Sequence, residues 1–298
     1  MVRVLVLKFA PDGLWPSIER LLPARRLRAV KADITEPLPA RDKPTAGSVL
    51  LEVKDARRTF GGLVAVNNVG FTLRAGEIFG LIGPNGAGKS TTFNRVSGVL
   101  PLTSGEVWLR GERVDGKGAR EIARRGLSRT FQHVKLVPDM TVLENVALGT
   151  YLRTRSGTLA AMLRTDRAEE ARTLAEAERQ LRRVGLGEHL HELAGNLALG
   201  PQRLVEIARA LASDPALLLL DEPAAGLRHR EKQALAEVLR QLKAEGLSLL
   251  LVEHDMDFVM NLTDRILVME FGTPLLEGTP AEIQASEKVR AAYLGTEH

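Results

Sequence analysis

The stretch EIFGLIGPNGAGKSTTFNRV, residues 77–96, decides the fold. It opens with a short apolar run, Ile78–Ile82, of the kind that fills a strand buried on both faces. Gly83, Gly88, Lys89 and Ser90 then match the spacing G-x-x-x-x-G-K-[ST], and a helical stretch runs on to about Val99. The chemistry requires these residue types. Glycines let backbone N–H groups turn inward around phosphate oxygens. Lys89 adds a positive point charge near the β- and γ-phosphates, and the Ser90 hydroxyl offers an oxygen to magnesium. The helix that starts here adds its dipole.

A phosphate loop serves kinases, GTPases and transport ATPases alike, so the discrimination comes from further along the chain. LLLLDEP, residues 217–223, reads as a buried strand ending in two carboxylates. At the C-terminal edge of a parallel strand, such groups face the crevice where ligands bind. Asp221 is placed to hold magnesium through water, and Glu222 to polarise an attacking water. Strands over residues 216–220 and 247–252 flank a helix over residues 231–244, and this alternation predicts a parallel sheet covered on both faces. Between the phosphate loop and LLLLDEP the chain is helix-rich. Leu174, Ala177, Leu181 and Val184 keep a three–four spacing. A further helix is expected after Gly200, with Pro201 in its first turn, where an amide proton has no intrahelical partner, and with Leu204, Ile207, Ala208 and Leu211 on one side. Upstream, Val69, Phe71 and Leu73 alternate as in a half-buried strand, Ala75 and Gly76 turn the chain, and Trp108 belongs to another short strand.

Composition narrows the class. The chain has 298 residues, 44% of them hydrophobic and 26% charged, which are ordinary globular values. It contains no cysteine, which excludes disulfide scaffolds, thiol nucleophiles and cysteine-ligated metals. A net charge of +4 and an aromatic content of 4% supply neither a basic stripe nor a stacking platform, so no nucleic-acid partner is expected. No apolar run approaches the ~20 residues of a membrane helix, and the opening MVRVLVLKFAPDG lacks a cleavage site. The expectation is a soluble cytosolic chain. Residues 1–48 differ from the rest: proline-rich and basic, they read as a short helix near residues 14–22 followed by a loose linker.

With these motifs in order, residues 49–295 resemble the ATP-binding subunits of ABC transporters. GPNGAGKST is the phosphate loop of that family, RTFQ places Gln132 at its Q-loop, LLLLDEP is its Walker B strand, and VEHD places His254 at its switch histidine. LALGPQR, residues 197–203, sits at its signature motif, and Phe60 in TFGG matches the aromatic that stacks on adenine. The resemblance implies an α/β P-loop NTPase fold: a RecA-like parallel-sheet core, an antiparallel β subdomain and an all-helical signature subdomain at about residues 135–212. The cassette is expected to span residues 49–298, after the extension 1–48. The cofactors implied are ATP and Mg2+. Phe60, Asn85, Gly86, Gly88, Lys89, Ser90 and Thr91 bind the nucleotide, while Ser90, Gln132 and Asp221 hold the metal. Glu222, His254 and Gln132 act in catalysis, and Ala198 and Gly200 complete the site of an opposing cassette in trans.

The subgroup resembled is that of the branched-chain amino acid importers, through SRTFQHVKLVPDMTVLENV, the long helical insertion, DEPAAGL, VEHDM and FGTPLLEGTPAEI. It implies an ATP hydrolase that energises uptake of branched-chain amino acids or similar small polar solutes. The implied partners are transmembrane permease subunits, a second ATP-binding subunit (the same chain or another) and, indirectly, a solute-binding protein. The place implied is the cytoplasmic face of the inner membrane. The alternative on the same engine is an export or lipid-extraction ATPase of the lipopolysaccharide-export type. Three residues depart from the family pattern: Ala198 where serine is usual, Pro201 where glutamine or glutamate is usual, and Arg228 where aspartate or asparagine is usual. They leave this chain's own nucleotide-binding half intact and bear on the half it lends. VLKFAPDGLWPSIERLLPARR, residues 6–26, resembles the cytosolic tail of the same group's permease, which suggests that permease and ATPase are or were fused.

Overall fold

The computed structural model describes residues 37–154 and 167–294, so the helix expected near residues 14–22 and the permease-like tail lie outside the described residues. β1 (Val49–Phe60) and β2 (Leu63–Arg74) form a long antiparallel hairpin, closed where Gly61 takes a φ of 56°. β3 (Ile78–Ile82) leads through the phosphate loop into α1 (Lys89–Val96). This helix stops three residues earlier than the sequence suggests, because Gly98 adopts a left-handed φ of 70° and its N–H bonds the Arg95 carbonyl. β4 (Ser104–Leu109), β5 (Glu112–Arg113), α2 (Ala119–Arg124) and β6 (Leu127–Arg129) follow. Next come α3 (Val142–Ala147), a 3-10 turn at Leu148–Leu152, α4 (Arg167–Arg183) and α5 (Leu199–Leu211). β7 (Leu217–Asp221), α6 (His229–Ala244), β8 (Ser248–Val252) and α7 (Met256–Met260) restore the strand–helix alternation. β9 (Arg265–Glu270), β10 (Thr273–Gly278), α8 (Pro280–Ala285) and α9 (Glu287–Leu294) complete the chain.

Two sheets result. One is antiparallel, in the order β2-β1-β4-β5; the other runs β10-β9-β3-β8-β7-β6, parallel except for the β9–β10 hairpin. Every residue of β3, β7 and β8 is buried, as expected of parallel strands covered on both sides. Their side chains alternate between two cores. Ile78, Ile82, Leu218 and Leu220 point to the side packed by α5 and α6, while Phe79, Leu81, Leu217 and Leu219 point to the side filled by α1 and the antiparallel sheet. The sheet's outer edges are weak: β6 has three residues, and β10 carries the exposed Pro274 beside a register shift.

The helices between β6 and β7 build their own packing face. Ala177, Leu181 and Val184 are buried as the spacing predicts, with Leu174 at the margin. Thr141 caps α3 in a reciprocal pair with Glu144. The fully buried Asn145 amide donates to the carbonyls of Val137 (3.0 Å) and Thr141 (3.0 Å) and so pins the segment ahead of the helix. Arg153 pairs with Glu176 of α4 at 3.0 Å, both side chains being buried.

The last residues of the expected loose linker differ from that reading. Residues 37–43 lack regular structure but are fastened to the cassette. Leu38 is buried and its carbonyl accepts from Arg153, Arg41 bonds Asp214 through its backbone N–H and side chain, and Lys43 donates to the Glu245 carbonyl at 3.0 Å.

Candidate functional site

The phosphate loop is shaped by what lies behind it. A β-carbon on Gly83 would sit 2.1 Å from the Met269 carbonyl oxygen, and one on Gly88 would sit 2.6 Å from that of Ala65. Both positions therefore require glycine on two counts, close backbone approach and a positive φ (150° and 92°). Gly86 has the positive φ but open space around it, facing outward beside the exposed Asn85. Lys89 starts α1, and its Nζ reaches back to the carbonyls of Gly83 (2.6 Å) and Pro84 (3.0 Å). Burial lowers its pKa, and the charge of Glu222 opposes that shift. Ser90 is exposed at the helix N-terminus, with Thr91 half-buried behind it.

The parallel register brings the other groups alongside. Asp221 ends β7 opposite Val252 of β8, so Glu222 and the Glu253–His254 pair leave the sheet together. The Glu222 N–H donates to the Val252 carbonyl at 2.9 Å, and its backbone is left-handed, φ 45°. Gln132 Nε2 donates to Glu222 Oε2 at 2.9 Å, and His254 Nδ1 lies 3.9 Å from the same oxygen. Three of the predicted groups thus meet around one carboxylate, at the edge where Lys89 also sits. Asp221 is buried and does not stand free, because Arg129, at the end of β6, donates to its Oδ2 at 2.8 Å. Burial pushes the Asp221 carboxyl up, against the pull of Arg129.

Phe60 lies at the β1–β2 turn, 44% exposed, with the Arg58 guanidinium 4.5 Å from its ring centre. Ala198 and Gly200 have other neighbours. Ala198 precedes α5 without a side-chain cap, and a β-carbon on Gly200 would meet the Glu231 carboxylate at 2.8 Å. The helix begins at Leu199, before Gly200 rather than after it, and Pro201 still falls in its first turn. Further along α5, side chains seize the backbone of the Gln132 loop. Arg203 donates to the Phe131 carbonyl (3.2 Å), Glu206 accepts from Lys135 N–H (2.8 Å) and Arg209 donates to the Lys135 carbonyl (2.7 Å).

This arrangement has known counterparts. The ABC transporter family profile matches residues 66–225. The high-affinity branched-chain amino acid transport ATP-binding protein LivG of Salmonella typhimurium is 45% identical over 249 residues, 83% of this chain and 98% of that protein. The chain belongs to the ABC transporter ATP-binding proteins. A second profile, for branched-chain amino acid ATP-binding cassette transporters, matches residues 273–298. Among solved cassettes, one in its ADP conformation aligns with a TM-score of 0.74 at 30% identity, covering 83% of this chain and 99% of that one. A dimeric cassette bound to ADP and Pi aligns at 0.65 and 26% identity, covering 78% and 99%. The chain is therefore an ATPase cassette with the α/β P-loop fold, as its motifs predict.

Two residues of the cassette's site escape the sequence reading. Arg129 stands inside the quoted RTFQ run without an assigned role, yet it also donates to Asn94 and Ser97 of the α1 region and lies over the Phe93 ring at 4.6 Å. An arginine closing a strand that is otherwise buried was the available signal. Glu253 is the other; it stands inside the quoted VEHD run without an assigned role, a charge directly after SLLLV.

Among the described residues, no group of three or more His, Cys, Asp or Glu side chains is placed to hold a metal ion. A protein-only metal cage is thus absent there. The oxygen donors at hand, the Ser90 hydroxyl, the Asp221 carboxylate and the Gln132 amide oxygen, suit a hard cation that keeps waters and phosphate oxygens as its other ligands.

Proposed function

We propose that this chain binds MgATP through the phosphate loop and hydrolyses it to energise uptake of branched-chain amino acids or similar small polar solutes. The observation that carries the hydrolytic reading is the meeting of Gln132, Glu222 and His254 around one carboxylate beside Lys89. Lys89 and the α1 N-terminus bind the β- and γ-phosphates, and the outward Gly86 and Asn85 face them. Ser90, Asp221 and the Gln132 amide oxygen would hold magnesium, which would neutralise charge on the phosphate oxygens. Glu222 takes the proton of the attacking water. Gln132, whose Nε2 donates to Glu222, helps to orient that water. His254 donates to the γ-phosphate. The exposed part of the Phe60 ring stacks on adenine.

The cargo reading draws on the likeness to LivG and on the C-terminal match at residues 273–298. No helix among the described residues is long and apolar enough to cross a membrane. The likeness to a transport ATP-binding protein supports permease subunits as this chain's partners. The cassette works on the cytoplasmic face of the inner membrane, paired with a second cassette as in its dimeric structural neighbour, while a solute-binding protein delivers the cargo to the permease subunits. Ala198 and Gly200, at the start of α5, close the nucleotide site of the opposing chain.

The test is a reconstituted transporter containing the Glu222→Gln chain. ATP binding should remain, while phosphate release and leucine uptake fall at least ~100-fold, the lower end of what a positioned base contributes. Near-normal phosphate release would sink the assignment. In the wild-type transporter run beside it, intact ATP turnover without uptake of any branched-chain amino acid would overturn the branched-chain assignment of the cargo.

A further inference from the structure

Glu253 is fully buried, at the point where β8 ends and the His254 segment begins. Its neighbours are backbone amides rather than a guanidinium or ammonium group. Oε1 accepts from Ala224 N–H at 2.7 Å, and Oε2 accepts from His254 N–H at 3.2 Å. The ring Nδ1 of His254 lies 3.9 Å from the same Oε2. Burial pushes the carboxyl's pKa up, against the lowering effect of these amides. An apolar side chain following SLLLV would have been the cheaper choice for the core.

What the carboxylate holds explains its presence. Ala224 lies two residues past Glu222, in the turn where Ala225 N–H donates back to the Glu222 carbonyl at 3.1 Å. That turn keeps Glu222 in a left-handed backbone, which costs a non-glycine residue about 1 kcal/mol or more unless its surroundings impose it. Asp255, on the other side of His254, accepts from Lys232 of α6 at 2.5 Å and from Phe258 N–H at 3.0 Å. His254 is thus bracketed by two carboxylates, each fastened to the segment that follows Asp221.

We propose that Glu253 is a positioning residue for ATP hydrolysis, tying the Glu222 turn to the His254 backbone so that the base and the γ-phosphate donor keep one common geometry. The proposal rests on Glu222 and His254 having the roles given above. Glu253 touches neither the phosphate loop nor Phe60, so its loss should appear in turnover and not in nucleotide affinity. A displacement of about 1 Å at such a site is worth up to ~100-fold in rate.

The experiment uses the full chain in its transporter and compares Glu253→Gln with wild type. Glutamine keeps the shape but has one acceptor oxygen for two amides. We expect kcat to fall at least tenfold, the KM for ATP to stay within twofold and the thermal midpoint to stay within a few degrees. A kcat within twofold of wild type overturns the proposal, as does a kcat loss matched by an equal loss of folded protein. Should Glu253→Gln not fold, hydrogen exchange on the unaltered protein decides. Slow exchange at the Ala224 and His254 amides, matching the β8 amides, supports the tie, and fast exchange at either overturns it. Glu222→Gln run in parallel separates the two readings. If it retains wild-type turnover, the catalytic assignment has failed. If it is inactive while Glu253→Gln is normal, only the positioning role has failed.

Discussion

Arg129 shows how much one side chain carries here. Its guanidinium joins Asp221 to Asn94 and Ser97 and stacks over Phe93, so one planar fork connects β6, β7 and the α1 region. Lysine has neither the fork nor the stacking face. We expect Arg129→Lys to lower stability by about 1–2 kcal/mol, and Arg129→Ala by about 3 kcal/mol, because a buried Asp221 is left without its partner. Urea unfolding of both variants checks the order, and equal midpoints would refute it. The glycines of the phosphate loop divide in the same way. Gly83→Ala and Gly88→Ala drive a β-carbon into backbone oxygens and should abolish soluble folded protein, whereas Gly86→Ala meets open space and should fold. Its remaining cost is the positive φ of 82°, on the order of 1 kcal/mol. Soluble yield and circular dichroism distinguish the three.

At the scale of elements, α4 is bound to the body of the cassette by a buried ion pair. Burial works against the Glu176 carboxylate, yet hydrogen bonds from Arg179 and Gln180 and the charges of Arg153 and Arg179 outweigh it and hold its pKa below the usual range. The folded state therefore binds fewer protons than the unfolded chain at acid pH. The stabilisation is fully present above the unfolded-state value, roughly 4.3, and is lost as pH falls through the lower folded value. Glu176→Gln should cost about 3 kcal/mol at pH 7, and its gap from wild type should narrow below about pH 4. A pH-independent gap in the urea midpoint would contradict this. The elements differ in how plainly the sequence announces them. β3, β7 and β8 are legible because a strand buried on both faces has to be apolar throughout. The phosphate loop is legible because phosphate leaves little choice of residue. The start of α5 at Leu199 is not legible because Ala198, at its N-cap, has no capping side chain to announce it. The anchoring of residues 37–43 and the Arg129–Asp221 and Glu253–Ala224 bonds join positions far apart in sequence. No local pattern encodes such partners until the sheet order is known.

At the scale of the whole molecule, the proposed pairing of two cassettes, each closing the other's nucleotide site, would make the halves of each site separable. Ala198 lacks the hydroxyl usual at its position, and Arg228 replaces a smaller residue at the N-cap of α6, where its N–H donates to Glu231. In an assembly with a different second cassette, Lys89→Ala in this chain should remove more phosphate release than Gly200→Ala, because the first disables the intact half and the second the altered one. Equal losses would argue for equivalent sites. The edges of the six-stranded sheet bear on a different matter, the behaviour of the protein when crowded. With three residues on one margin and a proline on the other, neither offers a long ladder of open amides on which a neighbour's strand could grow. Concentrated cassettes are thereby steered toward meeting through their loops rather than by runaway sheet extension. Pro274→Val would restore the missing donor, and turbidity on gentle warming should rise first in that variant.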